Sequence, residues 1–89
     1  MKNNIVNNLD IIENKIDNSS YKYSVVDKEL EDNILTIVTV NCIISVKDFK
    51  DTIYVWVAYD KNEYNDEKEI EKEFKTVKDS YKFIKEYLY

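Results

Sequence analysis

The chain has 89 residues, of which 44% are hydrophobic and 35% are charged, and its formal net charge is −5. These values are typical of a single folded domain with one modest core, and they exclude a disordered tail. The longest uncharged run is too short to span a bilayer, and the N-terminal residues lack the apolar block of a signal peptide. Because a single Cys cannot form an internal disulfide, we expect a cytoplasmic protein.

The first elements can be predicted from the spacing of apolar residues. Residues 3–17 carry them at helical intervals and predict an N-terminal helix that begins after Asn3 or Asn4. Residues 21–26 alternate between apolar and polar side chains, which predicts a first strand. Residues 28–33 are charged and end in Asp-Asn, which predicts a hairpin turn in a chain that has neither Gly nor Pro.

Residues 34–46 form an uncharged run that is rich in β-branched side chains. We interpret this run as one long central strand, around which the other elements are arranged. Alternation along a single strand places Cys42 and its even-numbered neighbours toward the core. The same alternation places Leu35 and Ile37 on the opposite face of the sheet.

The last two predicted elements are a strand and a helix. Residues 52–59 alternate, and the pattern places Tyr54 and Trp56 on the face opposite to the aliphatic side chains. Residues 66–88 carry an apolar stripe at helical spacing and predict one long helix. The predicted fold class is therefore α+β, with the order α-β-β-β-α. It is a three-stranded antiparallel meander in the order 1-2-3, packed with an N-terminal helix and a long C-terminal helix.

The residue types of the chain give little support for catalysis or for metal binding. The chain has no His, which is the commonest general base, and Cys42 lies in an apolar run that indicates a packed, inert thiol. Residues 60–71 resemble an EF-hand calcium loop, but Tyr64 and Asn65 replace an oxygen ligand and the Gly of the sharp turn. We therefore predict a protein that is not an enzyme, without cofactor or metal. A small enzyme or a calcium-binding protein is a remote alternative.

The predicted element order is shared with double-stranded-RNA-binding domains. Such a domain sets a basic loop and the lysines of its last helix against phosphates. Here the predicted first hairpin loop and the start of the predicted last helix are acidic, and the net charge is −5. A polyanion would be repelled. We therefore expect no direct nucleic-acid binding, and no membrane binding either.

One candidate partner site is an aromatic sheet face. If both helices cover the same side of the sheet, the other side is left exposed, and such a patch usually marks an interface. If the helices cover opposite sides, the same residues belong to the core. The residues in question are Leu35, Ile37, Tyr54 and Trp56.

The other candidate partner site is acidic. Residues 27–32 carry four acids and one Lys, and residues 60–73 carry seven acids and three Lys. An acidic surface can bind a basic groove in competition with nucleic acid, although acidic faces often serve only solubility. The candidate contact residues are Glu29, Glu31, Asp32, Glu63, Glu67 and Glu71.

These patterns favour a small, acidic, non-catalytic binding or inhibitor protein that docks on a larger basic protein, including one that binds nucleic acid. All 13 basic residues are Lys, and Ile, Asn and Tyr are abundant, which is typical of an AT-rich genome. With the small size, this composition fits an accessory protein of a phage or mobile element, such as an anti-CRISPR. The alternative is a homo-oligomeric structural module, for example a homodimer, in which the free sheet face pairs with a second copy.

Overall fold

The computed structural model describes residues 8–60 and 67–88. Within these ranges, five strands form one antiparallel sheet in the order β1-β2-β3-β4-β5, and two α-helices flank it. The α+β class is thus confirmed, whereas the prediction of a three-stranded meander is wrong. The elements are α1 (Asn8–Asp17), β1 (Val25–Glu31), β2 (Ile34–Thr39), β3 (Cys42–Asp48), β4 (Ile53–Asp60), β5 (Glu67–Phe74) and α2 (Val77–Ile84), with 3₁₀ turns at Ser20–Ser24 and Lys85–Tyr87.

Both helices pack on one side of the sheet, which we call the covered face. α1 and the segment that contains α2 contribute fully buried aliphatic side chains to a single core. The other side of the sheet, the open face, has no helix over it in the described part of the chain. The buried residues of the core are Leu9, Ile12, Ile16, Leu35, Ile37, Cys42, Ile44, Val46, Ile53, Val55, Val57, Ile84 and Leu88.

The predicted central strand is a hairpin of β2 and β3 with a two-residue turn at Val40 and Asn41. The Thr39 hydroxyl stabilises this turn, because its Oγ1 accepts hydrogen bonds from the backbone N–H of Asn41 at 3.2 Å and of Cys42 at 3.0 Å. Such local side-chain bonds let a Thr build a turn without Gly. The two-residue turn shifts the alternation by one residue. The side chains that face the core are therefore odd-numbered in β2 and even-numbered in β3.

This shift corrects the position of two candidate site residues. Leu35 and Ile37 were expected on the free sheet face, but both are 0% exposed and belong to the core under the helices. The prediction for these two residues is wrong because it assumed a single unbroken strand through residues 34–46. The predicted burial of Cys42 is confirmed, since the residue is 6% exposed.

The predicted long final helix is also wrong in its first half, where β5 pairs with β4 as the edge strand. Only residues from Val77 onward are helical. Thr76 caps α2, since its hydroxyl accepts a hydrogen bond from the backbone N–H of Asp79 at 3.1 Å. Ile84 and Leu88 still face the core, as the apolar stripe predicted.

The remaining elements match the sequence in part. Residues 8–17 are helical as predicted, while residues 3–7 lie outside the described part. The predicted strand 21–26 is mostly a 3₁₀ turn, and β1 begins only at Val25. The Asp-Asn hairpin turn is confirmed, with Asp32 in the left-handed region at φ 55°. None of the helices described is long and apolar enough to cross a membrane.

Lys28 connects β1 to α1 on the covered face. Its ammonium group contacts the carboxylates of Asp17 and of Glu13, the latter at 3.4 Å. Desolvation alone would lower the pKa of Lys28, but the hydrogen bond and charge of Asp17 and the charge of Glu13 outweigh it and raise the pKa. These contacts help to hold α1 across the first strand.

Candidate functional site: the open face of the sheet

The open face is built from three rows of paired residues that run across all five strands. In an antiparallel sheet, residues that pair directly across neighbouring strands point to the same face. Each of the three rows begins with an acid on β1 and ends with a Glu on β5. The rows are Asp27–Val38–Ile43–Ala58–Glu69, Glu29–Thr36–Ser45–Trp56–Glu71 and Glu31–Ile34–Lys47–Tyr54–Glu73.

Two lines of carboxylates therefore border the open face at its two edges. We call Asp27, Glu29 and Glu31 the β1 row, and Glu69, Glu71 and Glu73 the β5 row; all six side chains are exposed. Neighbouring strands lie about 4.8 Å apart, so the two rows are about 19 Å apart. Within a row, successive acids are about 6.7 Å apart, the repeat of one face of a strand.

On the two edge strands, alternation places acidic side chains on the open face and lysines on the covered face. On β5, Glu69, Glu71 and Glu73 point to the open face, while Lys68 and Lys72 pair with residues of the covered face. On β1, Lys28 likewise belongs to the covered face. The three rows contain six acids and one basic residue, Lys47, so the open face is strongly negative although the edge strands themselves contain lysines.

Two aromatic side chains lie on β4, between the middle strand of the open face and the β5 row. Tyr54 and Trp56 are half-buried, whereas Val55 and Val57 between and beside them are fully buried. The predicted face of these two aromatic residues is thus confirmed. Trp56 Nε1 donates a hydrogen bond to Glu69 Oε1 at 3.3 Å. Ile34 and Ile43 add apolar surface, since these residues are 38% and 44% exposed.

The carboxylates of the β5 row act on the ionisation of the Tyr54 hydroxyl. Its pKa is raised above 10 by partial desolvation, by its hydrogen bond to the Glu71 carboxylate and by the charges of Glu71, Glu73 and Glu69. The neutral phenol donates to the carboxylate, so the surrounding negative charge disfavours its ionisation. The ammonium group of Lys47 lies 5.9 Å from the centroid of the Tyr54 ring.

This arrangement predicts a delayed ionisation of Tyr54 at alkaline pH. The difference between absorbance titrations of the wild type and Tyr54→Phe should give a pKa for Tyr54 above its ordinary value, and Glu71→Gln should lower it. Because the pKa is raised in the folded protein, the contribution of Tyr54 to stability is present below pH about 10 and is lost as the pH rises through the raised pKa. An unchanged difference titration in Glu71→Gln would contradict the contact.

The structure places some of the predicted acidic residues on the open face. Glu29 and Glu31 lie in the β1 row and Glu71 lies in the β5 row, so the structure brings the two predicted segments to one face. Asp32 is exposed in the turn beside the β1 row. Glu67 begins β5, and Glu63 lies outside the described residues.

Three further acids were missed by the sequence analysis: Asp27, Glu69 and Glu73. The signal for the two on β5 was the alternation of Glu with other residues along residues 67–74. That alternation has the period of a strand, whereas the charge content favoured a helix.

Other candidate chemistry lies elsewhere or is not described. Burial raises the pKa of the Cys42 thiol, and its hydrogen bond with Thr39 opposes the rise. The loop compared with a calcium site lies mostly outside the described part of the chain. Within residues 8–60 and 67–88, no three His, Cys, Asp or Glu side chains are grouped to hold a metal ion.

Comparison with protein-family models, with curated proteins and with solved structures found no match to this chain. The geometry and the charge of the open face are therefore the observations that bear on function.

Proposed function

We propose that the protein is a non-catalytic docking protein whose open face binds a larger, basic protein. The observation that carries this proposal is the combination of two aromatic side chains on β4, over which no described helix lies, with exposed carboxylates at both ends of each of the three rows. Aromatic side chains are common hot spots of protein interfaces, and complementary charges around them steer association and select the partner. A partner with a basic, concave or flat surface fits both features.

A nucleic-acid-binding site is the kind of basic surface that the proposal favours. The carboxylates of each row repeat at about 6.7 Å, a spacing close to that of successive phosphates along a nucleic-acid strand. The protein would then act as an inhibitor that occupies such a site. The small size and the AT-rich composition support a phage or mobile-element accessory protein, such as an anti-CRISPR, as the finer form of this proposal.

The alternative of a homo-oligomer through the open face is less favoured by the charges. Two open faces packed against each other would place carboxylate rows near carboxylate rows, with Lys47 as the one basic side chain in the three rows. Like charges at close range oppose such an interface. The mass of the protein in solution distinguishes the two functions, since the docking proposal expects a monomer before the partner is added.

The test is capture of a partner with matched variants. Immobilised wild type, a face variant (Glu29→Gln with Glu71→Gln) and a control variant (Asp51→Asn with Glu86→Gln) are incubated with an extract of the source cells. Both variants lose two negative charges, but Asp51 and Glu86 are exposed outside the three rows. The docking partner should be retained by the wild type and the control, be depleted on the face variant, and be released by added salt or DNA.

A protein retained equally by all three baits would contradict docking through the open face. A partner that is lost from the face variant but is not displaced by DNA would support the docking function and contradict the nucleic-acid-site form of the proposal.

A further inference from the structure

The surroundings of Trp56 leave room for a side chain from a partner. Its direct neighbour across the strands on β3 is Ser45, and the next residue of its own strand on the same face is Ala58. Both are small, so they do not cover the indole ring from those two sides. The hydrogen bond from Nε1 to Glu69 draws the indole toward the β5 row.

Other aromatic rings of the protein make cation–π contacts with lysine side chains. Lysine ammonium groups lie within 6.0 Å of the ring centroids of Tyr23, Tyr54, Phe83 and, twice, Tyr81. Trp56 has no lysine over its ring among the described residues, although tryptophan is the side chain that attracts cations most strongly. The neighbouring lysines cannot easily reach it, because Lys47 lies over Tyr54 and Lys68 and Lys72 belong to the covered face.

We propose that Trp56, together with Glu69 and Glu71, receives an arginine side chain of the basic partner. A guanidinium group can stack its flat face on the indole while its N–H groups donate to the two carboxylates. A lysine ammonium group provides the charge without the planar fork, so arginine is preferred. This inference rests on the proposed docking function. The chain itself contains no Arg, so a second copy of the protein cannot supply the side chain.

The test uses a tetra-arginine peptide and a tetra-lysine peptide, which have the same length and charge. The chain has a single Trp, so its indole N–H gives one NMR signal that reports contact at this position. Both peptides are also labelled, and their binding is followed by fluorescence anisotropy. Tetra-arginine should shift the indole signal in a saturable way and bind at least about threefold more tightly than tetra-lysine.

Variants separate the arginine site from general charge attraction. Trp56→Leu should bring the two peptides to nearly equal affinity, and Glu71→Gln should weaken both the binding and the indole shift. Glu86→Gln, which removes one negative charge outside the three rows, should leave the preference for arginine unchanged. Equal binding of the two peptides by the wild type, or a preference that survives in Trp56→Leu, would overturn the inference.

The outcome is independent of the capture experiment. If capture depends on the open face but the peptides bind equally, the docking function stands and the arginine site is wrong. If arginine is preferred at Trp56 but capture is the same for all three baits, the site exists and the proposed docking function fails.

Discussion

Replacing Ile37 with Ala is expected to lower the free energy of unfolding by about 2–5 kcal/mol, because truncation of a buried aliphatic side chain leaves a cavity. Ile37 is 0% exposed and pairs with Ile44, which is equally buried, under the two helices. A loss of this size is a large part of the stability of a domain this small. Denaturant-induced unfolding of the variant and the wild type measures the difference.

The matched control is Ile43→Ala, which removes the same atoms from the opposite side of the same hairpin. Ile43 is 44% exposed on the open face, and its truncation is expected to cost less than about 1 kcal/mol. Similar losses in the two variants would contradict the assignment of the covered and open faces. A small loss of unfolding free energy in Ile37→Ala would instead indicate that Ile37 lies on the open face, as a single unbroken strand through residues 34–46 predicted.

The pair of variants tests the step at which sequence reasoning failed. An uncharged, β-branched run through residues 34–46 is compatible with one strand or with a hairpin. Gly and Pro usually mark a hairpin turn, but the chain has neither. The turn at Val40 and Asn41 depends on hydrogen bonds to the Thr39 hydroxyl. Because Thr is also common within strands, its presence did not indicate a turn.

A similar ambiguity explains the final segment. Glu and Lys favour helices in isolation, and the apolar residues Ile70, Phe74 and Val77 have spacings that fit a helix. The same segment also alternates, and pairing with β4 decides in favour of a strand. Pairing with a neighbouring strand is a tertiary interaction, so it overrides a weak local preference that could be read from the sequence.

Elements with one clear pattern were predicted correctly. Aliphatic and aromatic side chains alternate along residues 53–57 of β4. The opposite faces of Val55 and Trp56 could therefore be predicted before any strand pairing was known. The Asp-Asn turn was found because Asp and Asn tolerate the left-handed region, where Asp32 lies at φ 55°. For the candidate site, acidity and two aromatic residues could be predicted, but the two carboxylate rows depend on the register of five strands.

Reversing two charges of the β5 row is expected to slow the association with the basic partner by at least about tenfold at low ionic strength. The variant is Glu71→Lys with Glu73→Lys, which leaves Glu69 and its hydrogen bond with Trp56 in place. Both side chains are exposed, so the fold should be retained. Surface plasmon resonance with the captured partner gives the association and dissociation rates over a series of salt concentrations.

The control for this prediction is Asp51→Lys with Glu86→Lys, which changes the net charge by the same amount away from the open face. If attraction depends on where the charges lie, the control should associate nearly as fast as the wild type. Added salt should slow the association of the wild type and bring its rate closer to that of Glu71→Lys with Glu73→Lys, because surface charges are screened beyond about 10 Å at 0.1 M salt. If the control associates as slowly as Glu71→Lys with Glu73→Lys, net charge alone is responsible and the carboxylate rows have no specific role. A flat salt response would end the acidic docking hypothesis and leave Tyr54 and Trp56 as the contact, where truncation to Ala and not salt would abolish binding.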